Sequence, residues 1–246
     1  MVALVTGASR GIGAATAKLL ARHGWAVAVN YLRDKAAADS VAEDIAACGG
    51  KALVVQADVT DAAGVGQMTC LIEERLGPIG ALVCNAVGAT DPAFGQLLDI
   101  SREAVETLVL AQLRSVLTPI GAVLPGMAAR GHGSVVVVSS GLARHPKAGF
   151  SALSIAKGSV EAAARAMAQE FGPRGVRVNT VAPGPTLTDA AAWASAEVRQ
   201  GWAALTPLRR NALADDVAGP IAFLAGDAAR FVTGAHVPAD GGVVMP

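Results

Sequence analysis

Glycines at three positions near the start of the chain, Gly7, Gly11 and Gly13, have the spacing to bind phosphate. Glycine lets the backbone turn tightly and approach a ligand with no Cβ in the way. The Ala- and Leu-rich stretch after Gly13 is typical of a helix, whose N-terminus offers free N–H groups and the positive end of a dipole. A plain turn is the alternative. A strand before the glycines and a helix after them favour a dinucleotide site.

The elements around this turn repeat along the chain. The short apolar run Val2-Ala3-Leu4-Val5-Thr6 stops at Gly7 and is typical of a buried parallel strand. Five later runs have the same character: Trp25–Asn30, Lys51–Ala57, Ala81–Cys84, Gly133–Val138 and Val176–Val181. The stretches between them predict the helices Lys35–Cys48, Asp61–Leu76, Ser101–Arg130 and Ser151–Phe171, a loop over Asp91–Asp99, and helix and loop over Ala190–Arg210. The alternation predicts one α/β domain over residues 1–246.

Composition argues against several classes of protein. Lys plus Arg and Asp plus Glu number 20 each, so no basic surface for nucleic acid is expected. No uncharged apolar run reaches the roughly 18 residues that a membrane helix needs. The first strand begins directly after Met1, which leaves no room for a signal peptide. The three cysteines lack C-x-x-C spacing, so neither a disulfide framework nor a metal site is expected. We expect a cytoplasmic protein with no membrane or nucleic acid partner.

The segment Thr6–Gly13 resembles the cofactor loop of the short-chain dehydrogenase/reductase family, and similar motifs continue to Phe231–Gly242. The resemblance implies a doubly wound Rossmann fold with seven mainly parallel strands and helices on both faces. It also implies a nicotinamide cofactor. The cofactor contacts that it implies are Gly7, Ser9, Arg10, Gly11, Ile12, Gly13, Asp58, Val59, Asn85, Ala86, Lys157, Pro183, Gly184, Thr186 and Thr188.

The end of the second strand bears on which cofactor binds. An acidic residue there would favour NAD by accepting a hydrogen bond from the ribose 2′-OH. Residues 30–33 read Asn-Tyr-Leu-Arg, with no carboxylate until Asp34. Arg10 and Arg33 could both reach a 2′-phosphate through charge-assisted, forked hydrogen bonds. Two solvated surface arginines are the alternative. We expect NADP(H) to be favoured over NAD(H).

Asp58 closes the third predicted strand and matches the family position at which an aspartate contacts adenine. The alternative is a helix N-cap, a role that Thr60 or Asp61 would fill equally well. We expect Asp58 and the adjacent Val59 to contact the cofactor.

Two stretches depart from the family pattern. The usual Asn-Asn-Ala-Gly after the fourth strand keeps only Asn85 and Ala86, and Val87 stands where the glycine is expected. The β-branched side chain of Val87 is expected to shift the backbone beside the cofactor. Counting back from Leu124–Met127, the catalytic asparagine of the family falls at Gln112. The longer glutamine side chain would displace a water held there; a residue on the helix surface is the alternative.

The catalytic residues that the resemblance implies are Ser140, at the end of the fifth strand, and Lys157 on the helix that follows. A serine that only caps the strand end is the alternative. In most of the family a tyrosine lies four residues before the lysine, which falls here on Leu153; a divergent enoyl-reductase branch has it seven before, at Phe150. The single tyrosine, Tyr31, belongs to the adenosine end of the site. No tyrosine can therefore act as the acid.

Three functions stay open. The first is an oxidoreductase whose proton comes from Ser140, from Lys157 through water, from His145 or from the substrate itself. The second is different chemistry on the same fold, such as elimination, isomerisation or cyclisation. The third is a catalytically inactive partner subunit. The retained glycine turn and Lys157 favour the first two.

The expected partners are a hydrophobic small-molecule substrate and further copies of the chain. Leu142, Leu153 and Trp193 are candidate substrate contacts in an apolar, Ala-rich lining. The helices Ser101–Arg130 and Ser151–Phe171 correspond to those that pair across a two-fold axis in the family, and both are rich in apolar side chains. We therefore expect a homo-oligomer, either a dimer or a tetramer.

Overall fold

The computed structural model describes residues 1–88 and 93–245. The strands in this part of the chain are β1 (Val2–Val5), β2 (Ala26–Tyr31), β3 (Lys51–Gln56), β4 (Ile79–Cys84), β5 (Gly133–Val138), β6 (Val176–Pro183), β7 (Thr186–Leu187), β8 (Ala212–Leu213) and β9 (His236–Ala239). One sheet has seven strands, all paired in parallel, in the order β3-β2-β1-β4-β5-β6-β9. β7 and β8 pair separately. The expected doubly wound sheet is confirmed.

Helices cover both faces of this sheet. They are α1 (Gly11–Arg22), α2 (Lys35–Ala47), α3 (Ala62–Leu76), α4 (Arg102–Arg130), α5 (Ser151–Phe171), α6 (Ala196–Leu205) and α7 (Ala214–Ala225). On one face α1, α2 and α7 share a core that includes Leu20 and Ile221. On the other face α3, α4 and α5 share a core that includes Ile72 and Ile120. The molecule is therefore a three-layer structure with a core on each side of the sheet.

β5 shows why a strand of this sheet has apolar side chains at successive positions. Its valines are all buried, and they alternate between the two cores: Val136 and Val138 pack with α1 and α7, whereas Val135 and Val137 pack with α4 and α5. Successive side chains of a strand point to opposite faces. Because helices cover both faces, apolar side chains point to both sides of the strand, and the hydroxyl of the buried Ser134 donates to the carbonyl oxygen of Leu224.

Several element boundaries differ from those expected, because pairing across the sheet sets them. β2 extends to Tyr31, which pairs with β3. β4 begins at Ile79, which pairs with Val2. β6 continues to Pro183, which pairs with β9. The helix α5 and the strand β5 have the predicted limits, and α4 ends at the predicted Arg130 but begins at Arg102, because Ser101 is its N-cap.

The structure describes most of the two segments predicted to contain loops. Residues 91 and 92 of the expected loop Asp91–Asp99 lie outside the described residues. In the segment 190–210, a 3-10 turn at Asp189–Ala191 precedes α6. The expected helix and loop are thus present, and the short β7–β8 pair brings together the segments that precede and follow α6.

By length and composition α4 could cross a membrane. Its packing is that of a core helix: Val116, Ile120, Val123 and Met127 are buried against the sheet and α5. Such helices in the core of a soluble protein pass the same test. The structure thus gives α4 a role in the core.

Candidate active site

A cleft of about 760 Å³ lies at the carboxyl ends of the parallel strands. Most of its lining residues lie at or after the ends of β1 to β6, and Lys157 of α5 and Trp202 of α6 complete the lining. β1 lies between β2 and β4, so the order of the strands reverses beside it. Ligands of open α/β sheets bind at such a switch point. The cleft is therefore the candidate active site.

The cleft brings together nearly all of the residues that the sequence indicates. Its lining includes Gly7, Ser9, Arg10, Gly11, Ile12, Arg33, Asp58, Val59, Asn85, Ala86, Ser140, Lys157, Pro183, Gly184, Thr186 and Thr188. Gly13 is the exception, because it lies behind the lining in the first turn of α1. The roles of these residues as ligand contacts stay predictions.

The glycine turn is a backbone structure that side chains would block. Gly7 and Gly11 have φ angles of +61° and +54°, in the left-handed region. A Cβ on Gly7 would lie 3.0 Å from Cα of Ala86. A Cβ on Gly13 would collide with the carbonyl oxygen of Gly7 and lie 2.6 Å from Nδ2 of Asn85. No side chain caps α1, so the N–H groups of its first turn are available to a phosphate.

Two buried polar side chains that sequence reasoning left unassigned hold this turn. Oγ1 of Thr6 accepts hydrogen bonds from the N–H groups of Asn85 and Ala86, each at 3.0 Å. Oδ1 of Asn30 accepts one from the N–H of Gly7 at 3.2 Å. Both residues interrupt apolar runs in the sequence, and a buried polar group needs partners. That interruption is the signal that could have identified them.

The charged side chains near the end of β2 suit an anion. Arg10 and Arg33 are exposed and line the cleft, and neither forms an ion pair with any described residue. Asp34 also lines the cleft, but its Oδ1 accepts a hydrogen bond from the N–H of Ala37 at 2.9 Å as the N-cap of α2. This end of the cleft thus has two guanidinium groups without an ion pair among the described residues, and one carboxylate that caps α2. This end of the cleft can bind a phosphate group.

Asp58 holds the turn that precedes α3. The N–H and the hydroxyl of Thr60 donate to its Oδ1 at 2.8 and 2.7 Å. The N-cap of α3 is Asp61, which accepts from the N–H groups of Ala63 and Gly64. The alternative of Asp58 as the N-cap is therefore wrong. Its Oδ2, with no donor among the described residues, is left for a ligand in the cleft.

The two serines at the end of β5 have different environments. Ser139 is buried, and its hydroxyl donates to Oε1 of Glu161 at 2.8 Å. Ser140 is half-buried, and its Oγ accepts a hydrogen bond from the N–H of Leu142 at 3.2 Å. Because that bond uses a lone pair, the hydroxyl hydrogen of Ser140 is available to donate. Ser140 is thus the serine that can polarise a ligand oxygen.

Lys157 extends from α5 to the cleft, where its Nζ donates to the carbonyl oxygen of Val138 at 3.1 Å. Burial lowers the pKa of Lys157 to about 8, although the charge of Glu161 acts in the opposite direction. An ammonium group with such a pKa can release a proton close to neutral pH. Lys157 can therefore either hold hydroxyl groups of a ligand or transfer a proton.

A buried carboxylate supports this side of the cleft. Glu161 accepts hydrogen bonds from Ser139 and from Nε of Arg144 at 3.0 Å, with Nδ1 of His236 3.2 Å away and Arg165 at 3.8 Å. Burial lowers the pKa of His236, and the charge of Glu161 opposes that shift. The cluster joins β5, α5 and β9. Sequence reasoning did not find it, and a glutamate on the apolar face of α5 was the available signal.

The aromatic and apolar candidates occupy different places. Leu153 is half-buried on α5, one turn before Lys157, and Phe150 precedes that helix as its N-cap. Tyr31, the single tyrosine of the chain, is buried at the end of β2. Its hydroxyl is not part of the cleft lining.

The expected substrate contacts Leu142, Leu153 and Trp193 do not line the cleft. The large apolar side chain that does line it on this side is Trp202 of α6, a residue that sequence reasoning missed. The substrate side of the cleft is formed by a separate helix, and the spacing of residues near the catalytic motif carries no information about that helix.

The two departures from the family pattern have distinct surroundings. Gln112 is only 1% exposed, so its alternative as a helix-surface residue is wrong. The backbone carbonyl oxygen of Gln112 accepts a hydrogen bond from the hydroxyl of Ser115. The side-chain Nε2 of Gln112 has no partner among the described residues. Val87 is 59% exposed and borders the cleft. The backbone packs closely against α4 one residue later, at Gly88, where an added Cβ would lie 2.8 Å from the Cβ of Ala111.

The segment after β6 covers the glycine turn. A Cβ on Gly11 would lie 3.4 Å from Cγ2 of Thr188, so this threonine stands directly over the turn. A Cβ on Gly184 would lie 2.7 Å from that of Asp240. Gly184 therefore packs closely against Asp240, and this contact positions the start of the segment that covers the glycine turn. The cleft is thus bounded on one side by α1 and on the other by the segment that leads to α6.

Comparisons with known proteins agree with this architecture. The sequence profile of a family described as Enoyl-(Acyl carrier protein) reductase matches residues 7–244. An uncharacterised oxidoreductase of Methylorubrum extorquens is 39% identical over 98% of this chain and 97% of its own. The cis-4-hydroxycyclohexanecarboxylate dehydrogenase of Sinomonas cyclohexanicum is 40% identical over 98% and 95%. The 3-oxoacyl-[acyl-carrier-protein] reductase of Synechocystis is 39% identical over 99% and 97%.

Proposed function

The chain belongs to the short-chain dehydrogenase/reductase family, and we propose that it is an NADP(H)-dependent oxidoreductase. Its substrate is a hydrophobic small molecule with a carbonyl, alcohol or conjugated group. The observation that carries the proposal is the convergence of the glycine turn, Ser140 and Lys157 on one cleft. The names of the Sinomonas dehydrogenase and the Synechocystis reductase support the same class of reaction.

The cleft fits a dinucleotide. The close approach at Gly7 and Gly13 leaves the N-terminus of α1 accessible for a pyrophosphate, and Arg10 and Arg33 would hold a 2′-phosphate. Lys157 would bind the hydroxyls of the nicotinamide ribose. When bound, such a cofactor supplies or accepts a hydride at nicotinamide C4.

The side chains on the substrate side do the rest of the chemistry without a phenol. In this proposal Leu153 stands where most of the family has its catalytic tyrosine, and Gln112 stands where it has an asparagine. Ser140 donates its free hydroxyl hydrogen to the carbonyl oxygen and polarises the bond. Lys157 gives a proton to that oxygen through water and regains one from solvent. Its lowered pKa of about 8 suits this transfer.

Turnover is the first test. Purified enzyme with NADPH and a panel of cyclic and acyclic ketones should show NADPH oxidation with formation of the alcohol. Ser140→Ala should reduce kcat more than it changes NADPH affinity, because the hydroxyl acts on the substrate. An enzyme that binds NADPH yet reduces no ketone, and oxidises no alcohol with NADP⁺, would overturn the redox proposal.

Cofactor preference is tested by calorimetric titration. NADPH should bind at least about ten times more tightly than NADH, a difference of ~1.4 kcal/mol. The physical reason is the pair of unengaged guanidinium groups at the adenosine end of the cleft. Equal affinities would contradict the assignment of Arg10 and Arg33.

Leu153 favours a second candidate, in which the fold and the cofactor serve elimination, isomerisation or cyclisation. Acid–base help from a positioned group accelerates reactions by about 10²–10⁴, and no tyrosine supplies it here. Product formation without consumption of NADPH would support this candidate: isomerisation or cyclisation gives a product with the mass of the substrate, and elimination gives one lighter by the mass of the leaving group. A catalytically inactive partner subunit would instead raise the activity of another protein only in a complex with it.

We also propose that the chain is a cytoplasmic homo-oligomer, a dimer or a tetramer. α4 exposes Leu110 and Leu117, and the adjacent α5 exposes Ile155. Exposed apolar side chains on two packed helices suit a self-complementary interface. Light scattering that shows a monomer at micromolar concentration would contradict the oligomer.

A further inference from the structure

Four aromatic rings form a row that begins in the cleft on its substrate side. Trp202 of α6 lines the cleft, and its ring centroid lies 5.7 Å from that of Trp193. The Trp193 ring lies 6.3 Å from Phe94, and Phe94 lies 5.2 Å from Phe150. Phe150 is the N-cap of α5, the helix that carries Lys157. We call Trp202, Trp193, Phe94 and Phe150 the aromatic row.

The aromatic row concentrates a scarce residue type. The chain contains five Phe, three Trp and one Tyr, so nearly half of its aromatic residues are in this row. Trp193 is 60% exposed and Phe94 52% exposed. Single exposed apolar residues are common, but a contiguous exposed set beside a cleft is typical of a ligand surface. The row is therefore better explained by a ligand than by core packing.

Backbone contacts hold the row in place before any ligand binds. Gly95 forms a parallel bridge with Phe150, and its N–H donates to the carbonyl oxygen of Gly149 at 3.0 Å. This pairing fixes Phe94 against Phe150 edge to face. The Phe94–Phe150 end of the row is thus preorganised, so ligand binding loses little further conformational entropy there.

We propose that the aromatic row binds the ring system of a planar, fused-ring aromatic ketone or alcohol whose reacting oxygen faces Ser140. The inference rests on the proposed function and names its substrate class. Aromatic side chains contact other aromatic rings more favourably than saturated rings of equal area, because stacked and edge-to-face pairs align ring quadrupoles. An aliphatic acyl chain would gain from apolar burial alone.

The test compares two bicyclic ketones with the same carbon skeleton. 1-Tetralone has a benzene ring fused to the cyclohexanone, and 1-decalone has a saturated ring in its place. Calorimetric titration of the enzyme–NADP⁺ complex should give about tenfold tighter binding for 1-tetralone, the upper end of an aromatic pair. The acetoacetyl thioester of N-acetylcysteamine, which represents an acyl substrate, should bind more weakly than 1-tetralone.

Two variants test whether the aromatic row causes the preference for 1-tetralone over 1-decalone. Trp193→Leu keeps an apolar side chain and should reduce the discrimination between the two ketones to less than about threefold, because one ring contact is lost. Phe231→Leu is the matched control: this phenylalanine is fully exposed and lies outside both the row and the cleft lining. It should leave the discrimination unchanged.

The outcomes separate this inference from the proposed function. If 1-decalone or the thioester binds as tightly as 1-tetralone, or Trp193→Leu retains full discrimination, the substrate class is wrong. NADPH oxidation with ketones that lack rings would then still support the oxidoreductase. If 1-tetralone binds with the expected preference but the enzyme reduces no ketone with NADPH and oxidises no alcohol with NADP⁺, the row is supported and the redox proposal fails.

Discussion

The two sides of the cleft differ in the atoms that form them, which are backbone atoms on one side and side chains on the other. On the cofactor side, Gly7, Gly11 and Gly13 make a site out of backbone N–H groups and close contacts, and Thr6 and Asn30 hold it from behind. On the substrate side the surface is made of side chains. These come from α5, from the loop that carries Phe94 and from α6.

The difference bears on how each side of the cleft responds to substitution. A backbone site tolerates almost no substitution, because any Cβ occupies the space that a phosphate or a neighbouring strand needs. A site made of side chains can change its chemistry one residue at a time while the fold stays the same. The glycine turn is such a backbone site, whereas the side chain of Trp202 lines the other side of the cleft.

The substitution Gly13→Ala should cause the largest loss of cofactor binding. The added Cβ would collide with the carbonyl oxygen of Gly7 and press on Asn85, so the turn must open. We expect NADPH affinity to fall by about 100-fold or more, ~2.7 kcal/mol. Gly66→Ala is the matched control, because a Cβ there meets nothing within 4 Å. It should leave the affinity unchanged and stabilise α3 by up to ~1 kcal/mol. Titration and thermal unfolding measure both effects.

The substrate side should gain a function from Leu153→Tyr. The new phenol would lie one turn from Lys157 on α5, where the ammonium charge lowers its pKa. Reduction of activated ketones by NADPH should appear or rise by about tenfold or more, with NADPH affinity unchanged. Leu153→Phe, which has the ring without the hydroxyl, should show no gain. Normal NADPH binding with no gain would instead point to Gln112 and Val87.

The pH dependence of reduction tests Lys157. Its pKa is lowered to about 8, so the ammonium form is lost as pH rises through that value. We expect kcat/KM to be level below about pH 8 and to fall about tenfold per unit above it. Because the folded pKa lies below the unfolded one, folding stability should rise as pH increases from about 8 to 10.5. Lys157→Met should remove both pH dependences. A profile that is flat to pH 10 would exclude the lysine as donor.

The smallest expected effect is that of Arg33→Ala. An exposed charge pair contributes at most ~1 kcal/mol, so NADPH affinity should fall by about fivefold. Affinity for NADH should not change, since NADH has no 2′-phosphate. Added salt should weaken NADPH binding to the wild type more than to the variant. A parallel loss for both cofactors would show that Arg33 acts on the fold of the turn instead.

Local sequence patterns determined most of the cofactor side. The spacing of Gly7, Gly11 and Gly13 encodes backbone torsions, and apolar runs such as Gly133–Val138 encode strands buried on both faces. The limits of α4 and α5 followed from Ser101 as an N-cap and from glycines that end the helices. Such patterns act over a few residues, so the sequence is sufficient to predict them.

The tertiary structure alone decided which distant residues meet. Thr6 bonds to Asn85, 79 residues away, and Ser139 bonds to Glu161 on a different element. The ends of β2, β4 and β6, the shielded position of Gln112 and the aromatic row likewise depend on which elements become neighbours. These long-range contacts depend on the order of the strands in the sheet and on the packing of both cores. No local spacing records that choice, because it is a property of the whole chain.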